Sequence, residues 1–279
     1  MAYRLGEAES TREGLRRCAR EELESAILDL TERVNEDPVE ALHDARKSLK
    51  KERSLLRLAR NSLPASERRR ENAALREAGR RLSFVRDADV MIEALDKIAE
   101  RYAGQFPRTA VDAIRHRLEQ DREAARLELK TSGAPAAVAE ELRDMLARVD
   151  EWRLRTGGWK AIGAGLRRSY RDGRRAFARA RKEPSVVSLH EWRKRCKDHW
   201  YHLRLLERIA PNTVAAHADD AHLLSELLGD DHDLAVLQES LVARAGEVPV
   251  DTAAVLAAID HRRGQLQEEA FFLGQRVYA

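Results

Sequence analysis

An all-α fold built on an internal duplication is what this sequence predicts, and three observations carry that expectation. Charged residues make up 35% of the 279-residue chain and aromatics 5%, with Leu, Ala, Arg and Glu abundant, a composition that favours helices. No stretch of any length alternates polar and apolar residues with the period of two that a strand needs. Four blocks of residues recur in the same order at offsets of 145 to 151. Gly14-Leu15-Arg16-Arg17 and Arg20 match Gly165-Leu166-Arg167-Arg168 and Arg171. Leu42, His43, Arg46, Lys47, Lys50 and Arg57 match Leu189, His190, Arg193, Lys194, Lys197 and Arg204. Leu82, Asp87, Val90 and Leu95 match Leu228, Asp233, Val236 and Leu241. Ala113-Ile114 and His116-Arg117 match Ala258-Ile259 and His261-Arg262. Such order at a drifting offset is the mark of duplication with loop indels. Two related antiparallel helical bundles are expected, residues 1–134 and 135–279. Packed with pseudo-two-fold symmetry, they would bring the two copies of the second block to one shared place.

The helices can be placed in turn from caps and breakers. The first starts after Ser10 or Thr11 and runs to about Asn35. Pro38 opens the second, which ends before Pro64. Ser66 caps the third, with Arg69 opposing the macrodipole in its first turn. The fourth runs from about Arg86 to Tyr102, where Gly104-Gln105-Phe106-Pro107 breaks it. Thr109 caps the fifth, which reaches about Lys130, and residues 131–135 (TSGAP) are the best linker candidate. An extra helix over 136–155, without a counterpart in the other half, stops at Thr156-Gly157-Gly158. Helices follow at about 159–181, 187–209, 212–228, 231–245 and 251–275, separated by KEPS, Pro211, Gly229 and GEVPVD.

The second block carries the chemistry. At about 100° per residue, His190, Arg193, Lys194, Lys197, Trp200, Tyr201 and Arg204 fall on one side of a helix. Leu189, Trp192, Cys196, Leu203 and Leu206 fall on the other, an apolar stripe fit for a core. The first copy puts His43, Arg46, Lys47, Lys50 and Arg57 on its matching face, with Arg53 and Ser54 where the second has Trp200 and Tyr201. These fourteen face positions contain no acid. Solvent helices usually interleave Glu with Lys one turn apart to offset repulsion. Here the acids Asp44, Glu52, Glu191 and Asp198 stand at other positions, and Lys51 lies one step off the face. Cations recurring each turn, about 5 Å apart over roughly 21 Å, suit a linear anion. Arginine offers forked donors to phosphate and lysine a point charge. Arg16, Arg17, Arg20, Arg167, Arg168 and Arg171 are the next candidates for the wall of such a site. Net charge is only +3, so any basicity that matters is local.

Other readings are weaker. Asp230-Asp231-His232-Asp233 invites a metal, but only Asp87/Asp233 recurs, at an expected helix start, where a capping role suffices. Glu40-x-x-His43 resembles half of a di-iron motif, and its counterpart is Val187-x-x-His190. His199 and His202 lie off the basic face, and His116 and His261 are ambiguous between site and interior. No P-loop, HExxH or GxSxG occurs, so no cofactor or metal is expected. Cys18 and Cys196 read as reduced core residues. The amino terminus has no signal-like apolar run and no segment approaches the roughly 20 apolar residues of a membrane span. No membrane contact and a cytoplasmic location are therefore expected.

Repeated LHxxRKxxxK-type helices, each followed by an L-x-x-x-[RH]-D-x-x-V block (Arg86-Asp87 and His232-Asp233), resemble the CHAD family, the conserved histidine α-helical domain. The resemblance covers about residues 10–275. It implies two helical bundles around a basic central cavity that binds inorganic polyphosphate without catalysis. The residues it points to are His43, Arg46, Lys47, Lys50, Arg57 and their partners His190, Arg193, Lys194, Lys197 and Arg204, with Tyr201 at the departure from strict repetition. Members are often fused to a triphosphate-tunnel domain that this chain lacks, so a stand-alone form is expected, in the cytoplasm and associated with polyphosphate granules. A metal-dependent phosphohydrolase using residues near 230–233 and an RNA-binding module are the alternatives. The latter would need exposed aromatics for base stacking, and nucleic acid is the disfavoured partner. No oligomeric state is implied.

Overall fold

The computed structural model describes residues 3–244 and 252–278, without the side chains of residues 84–87. The Arg86 and Asp87 side chains and the GEVPVD segment (246–251) therefore lie outside the described residues. Among these there are ten α-helices, one short 3-10 helix and no strand.

Helix α1 (Thr11–Thr31) begins at a capping box: Ser10 Oγ accepts from the Glu13 amide, and Glu13 accepts from the Ser10 amide. A 3-10 turn, Arg33–Asn35, leads to α2 (Pro38–Leu58), capped by Asp37 with Pro38 in its first turn. Helix α3 (Ala65–Arg81) follows Pro64, and α4 (Phe84–Arg101) follows a short break at Leu82-Ser83. Pro64 and Pro107, rather than Ser66 and Thr109, precede α3 and α5, and neither start has a side-chain cap. Helix α5 (Arg108–Ser132) and α6 (Ala134–Asp150) are joined through Gly133 alone, at φ +61°. The expected linker over 131–135 is thus a one-residue hinge. Glycine reaches the left-handed region at no steric cost, and Pro135 starts the next helix.

The remaining helices are α7 (Gly158–Lys182), α8 (Val186–Leu206), α9 (Pro211–Ala243) and α10 (Ala253–Tyr278). Helix α9 runs 33 residues without the break expected at Gly229. Glycine inside a helix costs only about 1 kcal/mol relative to alanine. Leu228 and Leu234 anchor the chain on either side of Gly229 in two different cores.

Those cores explain the assembly. The larger contains Leu15, Leu23, Leu42, Leu55, Val138, Trp192, Leu224 and Leu273, so it draws on α1, α2 and α6 as well as α8, α9 and α10. The smaller is made by Leu95 and Ile98 of α4, Ile114 and Leu118 of α5, Leu237 and Leu241 of α9, and Val255 and Ile259 of α10. Both draw residues from each side of position 134. Helix α9 enters the large core with its first half and the small core with its second, while α10 does the reverse, so the pair runs antiparallel. Large aliphatic side chains at these positions each contribute a few kcal/mol, since truncating a buried leucine to alanine costs about 2–5 kcal/mol.

Helix α7 is pressed onto α2 at Gly165. A β-carbon there would stand 2.1 Å from the Leu58 carbonyl oxygen, so only glycine permits this backbone approach. Helices α2 and α8 meet where buried Ser54 donates to the Asp198 carbonyl at 3.3 Å and His202 Nε2 lies 2.9 Å from the Ser54 carbonyl. Ser54 is fully buried at that crossing, at the position the sequence alignment pairs with Tyr201.

Candidate functional site

The basic face is assembled from α2 and α8. On α2, Lys47 and Lys50 are exposed, while His43, Arg46 and Arg57 are half-buried. Arg46 donates to the Leu82 carbonyl at 3.0 Å, closing the break between α3 and α4. On α8, Arg193 lies over Gly229 of α9, within 3.5 Å of where a β-carbon would be. The sequence repeat aligns Leu82 with Leu228, so the two arginines reach matching places, one a helix break and the other a helix interior. His190 packs on His232 of α9 with ring centroids 4.1 Å apart. Arg204 lies 5.3 Å and Lys197 6.0 Å from the Trp200 ring centre.

Lys197 joins the two helices electrostatically. Its ammonium is pushed down to about 8, first by burial, then by Arg193, with Lys47 of α2 adding to the effect and Asp233 opposing it. His232 is held down to about 4 by burial, by His190 and by the cations Arg193, Lys194 and Arg263. His190 is lowered by burial and by Lys194 and Arg193, with Glu191 acting the other way. The Nδ1 atoms of both histidines are buried without a hydrogen-bond partner. Burial first, and the surrounding cations second, thus discourage further protonation here.

Several expectations need correction. The acids of α2 and α8 are not remote from the face: Asp44 pairs with Lys47 at 3.5 Å, Glu191 with Lys194, and Asp198 with Arg57 at 2.5 Å. Tyr201 and Trp200 do not present their rings to solvent. Tyr201 is 2% exposed against Tyr3, and Trp200 is 8% exposed, stacked on His222. Arg16, Arg17 and Arg20 hold the structure together elsewhere. Arg16 donates to the Trp152 carbonyl, Arg17 pairs with Glu9 and Glu21, and Arg20 pairs with Asp150. Helix α6 and the segment after it supply two of these partners, and the repeat could not have revealed that because α6 has no counterpart. Arg167, Arg168 and Arg171 are exposed on α7, around a hollow that also touches Tyr170, His199 and His217.

The metal readings fare no better. Among the described residues no group of three or more His, Cys, Asp or Glu side chains could hold a metal ion. Asp231 is buried against Arg263 and Gln267, and Asp230 pairs with Lys97 at 3.0 Å. His199 is a core residue bound to Ser169 and His217, and burial holds it down to about 3. His116 and His261 each lie 3.1 Å from a glutamine one turn on, Gln120 and Gln265, at exposed positions. Both cysteines are free and buried. No helix among the described residues is long and apolar enough to cross a membrane.

Sequence reasoning placed Arg53 on the face without counting it as a binding residue, and did not bring His232, Arg60 or Arg195 to the candidate site. Arg53 lies beside Arg57, both reaching Asn72 of α3. The one available signal for His232 was its alignment with Arg86, another potential cation.

The family profile for the CHAD domain matches residues 18–242. The chain belongs to the CHAD family. The match begins inside α1 and ends inside α9, so it contains both α2 and α8. Among solved structures, PptA from Streptomyces chartreusis aligns with a TM-score of 0.64 at 17% identity, covering 97% of this chain and 99% of that one. The CHAD domain from the plant Ricinus communis aligns with a TM-score of 0.62 at 18% identity, covering 96% and 89%. At that identity the likeness concerns the fold. Among curated proteins, no sequence matches this CHAD chain.

Proposed function

We propose that the protein binds inorganic polyphosphate along the joined faces of α2 and α8 and does not turn it over. The observation that carries this reading is Lys197, half-buried on α8 and destabilised as a cation first by burial and then by Arg193, with Lys47 of the other helix adding to the effect and Asp233 opposing it. A linear anion lying across the cations of both helices relieves the repulsion that their carboxylate partners leave. CHAD domains are generally polyphosphate-binding domains, and the family match spans both helices. RNA is disfavoured because Trp200 and Tyr201, the aromatic pair on the sequence of the basic face, are buried and do not present their rings for stacking there. A cytoplasmic location at polyphosphate granules goes with this reading.

Calorimetric titration with a long polyphosphate tests it. Lys50→Glu and Lys197→Glu, on different helices, are each expected to weaken binding at least tenfold. The double variant should fall short of the product of the two, as residues sharing one partner do. Lys160→Glu is the control for net charge: Lys160 is exposed in the first turn of α7, where an acid suits the helix dipole. Lys51 cannot serve, since it bonds Glu22 at 2.8 Å beside the buried Glu52. Two half-strength sites lost independently, or equal damage from Lys160→Glu, would overturn the shared face. Metal-dependent phosphate release abolished by Asp233→Ala would replace binding with hydrolysis.

A further inference from the structure

Where α7 presses on α2 at Gly165, a second and much smaller concavity opens between α2, α7 and α8. Its volume is about 40 Å³. A water needs roughly 10–15 Å³ on this measure, so the space suits one tetrahedral oxyanion and not a length of chain. Four arginines line it, Arg57, Arg60, Arg168 and Arg195, against two carboxylates, Asp172 and Asp198. Asp198 lies 2.5 Å from Arg57 and 3.9 Å from Arg195, and Asp172 lies 3.3 Å from Arg168. The lining groups alone carry a formal balance of two positive charges, and Arg195 also lies 3.5 Å from Glu191 outside the lining. Arg60 is held below its ordinary value by burial and then by Arg168 and Arg68, and the Nε of Arg57 is buried with no acceptor.

The wall contains a group of opposite need. His202 is 1% exposed and lines the same cavity. Its Nε2 faces the Ser54 carbonyl at 2.9 Å. A carbonyl can only accept, so Nε2 carries the proton and Nδ1 is left as a lone pair. That Nδ1 is buried and unpartnered. The lining thus holds several donors for ionised oxygens together with a wall residue, His202, whose Nδ1 is an acceptor without a partner. Sulfate and the interior groups of a polyphosphate chain have no hydroxyl to give.

We propose that this pocket binds a phosphate group bearing a P–OH, either free hydrogen phosphate or the protonated end of a chain, with the arginines on its ionised oxygens and His202 Nδ1 on its hydroxyl. Hydrogen phosphate brings two negative charges to a lining whose formal balance is two positive. The chain-end source rests on the polyphosphate reading above, and the free-ion source does not.

Titration at pH 7 with sodium phosphate and sodium sulfate separates the outcomes. One saturable phosphate site is expected, with sulfate at least tenfold weaker. Arg60→Gln and Arg195→Gln, each checked for helicity, should each weaken phosphate at least tenfold, and Lys160→Glu should not. Displacement of phosphate by equimolar tripolyphosphate would identify the chain end as the occupant, and failure to displace it the free ion. Absence of saturation, equal affinity for sulfate, or indifference to both arginine variants overturns the proposal. Phosphate binding by the Lys197→Glu variant reports on the pocket, and long-polyphosphate binding by the Arg60→Gln variant reports on the α2/α8 face, so the two readings fail separately.

Discussion

His190 and His232 show how a residue's surroundings set what it can report. Their rings lie against each other at a tilt of 38°, both are held below the ordinary imidazole value, and the charged groups around them are Arg193, Lys194, Glu191 and Arg263. Both are neutral near pH 7 in the empty protein. A bound polyanion favours their charged forms, so binding should take up protons wherever the bound histidines are charged and the empty ones are not. For His232 that window extends down to about pH 4. Affinity should therefore rise as pH falls from 8 to 6, by up to about tenfold per unit for each proton taken up. Lys197 adds to the same trend, because it loses charge as pH passes about 8. Calorimetry in buffers of different ionisation enthalpy counts the protons. His232→Asn should flatten the slope, and an affinity that is flat from pH 8 to 6 would remove these histidines from the site.

At the scale of elements, helices were legible where a cap or a period was local. The start of α1 after Ser10 and the apolar stripe of α8, with Leu189, Trp192 and Cys196 buried, followed from sequence alone. What was not legible depended on distant chain. Gly229 reads as a break until two cores are seen to hold α9 on either side of it. Trp200 and Tyr201 read as part of the basic face until Tyr3 and His222 cover them. Gly165 stood out in the repeat, but its reason, the Leu58 backbone of α2, lies more than 100 residues away. Gly165→Ala is expected to force α7 off α2, because the neighbour is main chain and cannot rotate aside. A loss of about 2 kcal/mol or more is expected, since overpacking typically costs 1–3 kcal/mol. Gly264→Ala, with nothing within 4 Å of its added carbon, should be neutral or stabilising. Chemical denaturation of the two variants gives the comparison, and equal midpoints would mean the helices separate without strain.

Over the whole molecule, the repeat and the packing divide the chain differently. Taking 1–134 and 135–279 as copies remains our proposal. The two hydrophobic cores each take residues from both, so neither half is expected to fold alone. This mixing places the basic faces of α2 and α8 on one body, and ionic strength can test whether they act together. Each lysine or arginine that neutralises a phosphate releases counterions, so the logarithm of affinity should fall linearly with the logarithm of salt concentration, by analogy with nucleic acids. A long chain touching both helices engages more cations than tripolyphosphate can, and its slope should be steeper. Removing one lysine from either helix, Lys50→Gln or Lys197→Gln, should reduce the long-chain slope by about one. Titrations at several salt concentrations from low to above physiological would measure these slopes. Equal slopes for short and long chains would mean that only a local cluster is engaged. A long-chain slope that responds to Lys50→Gln but not to Lys197→Gln would confine the anion to α2, and the joined face would be wrong.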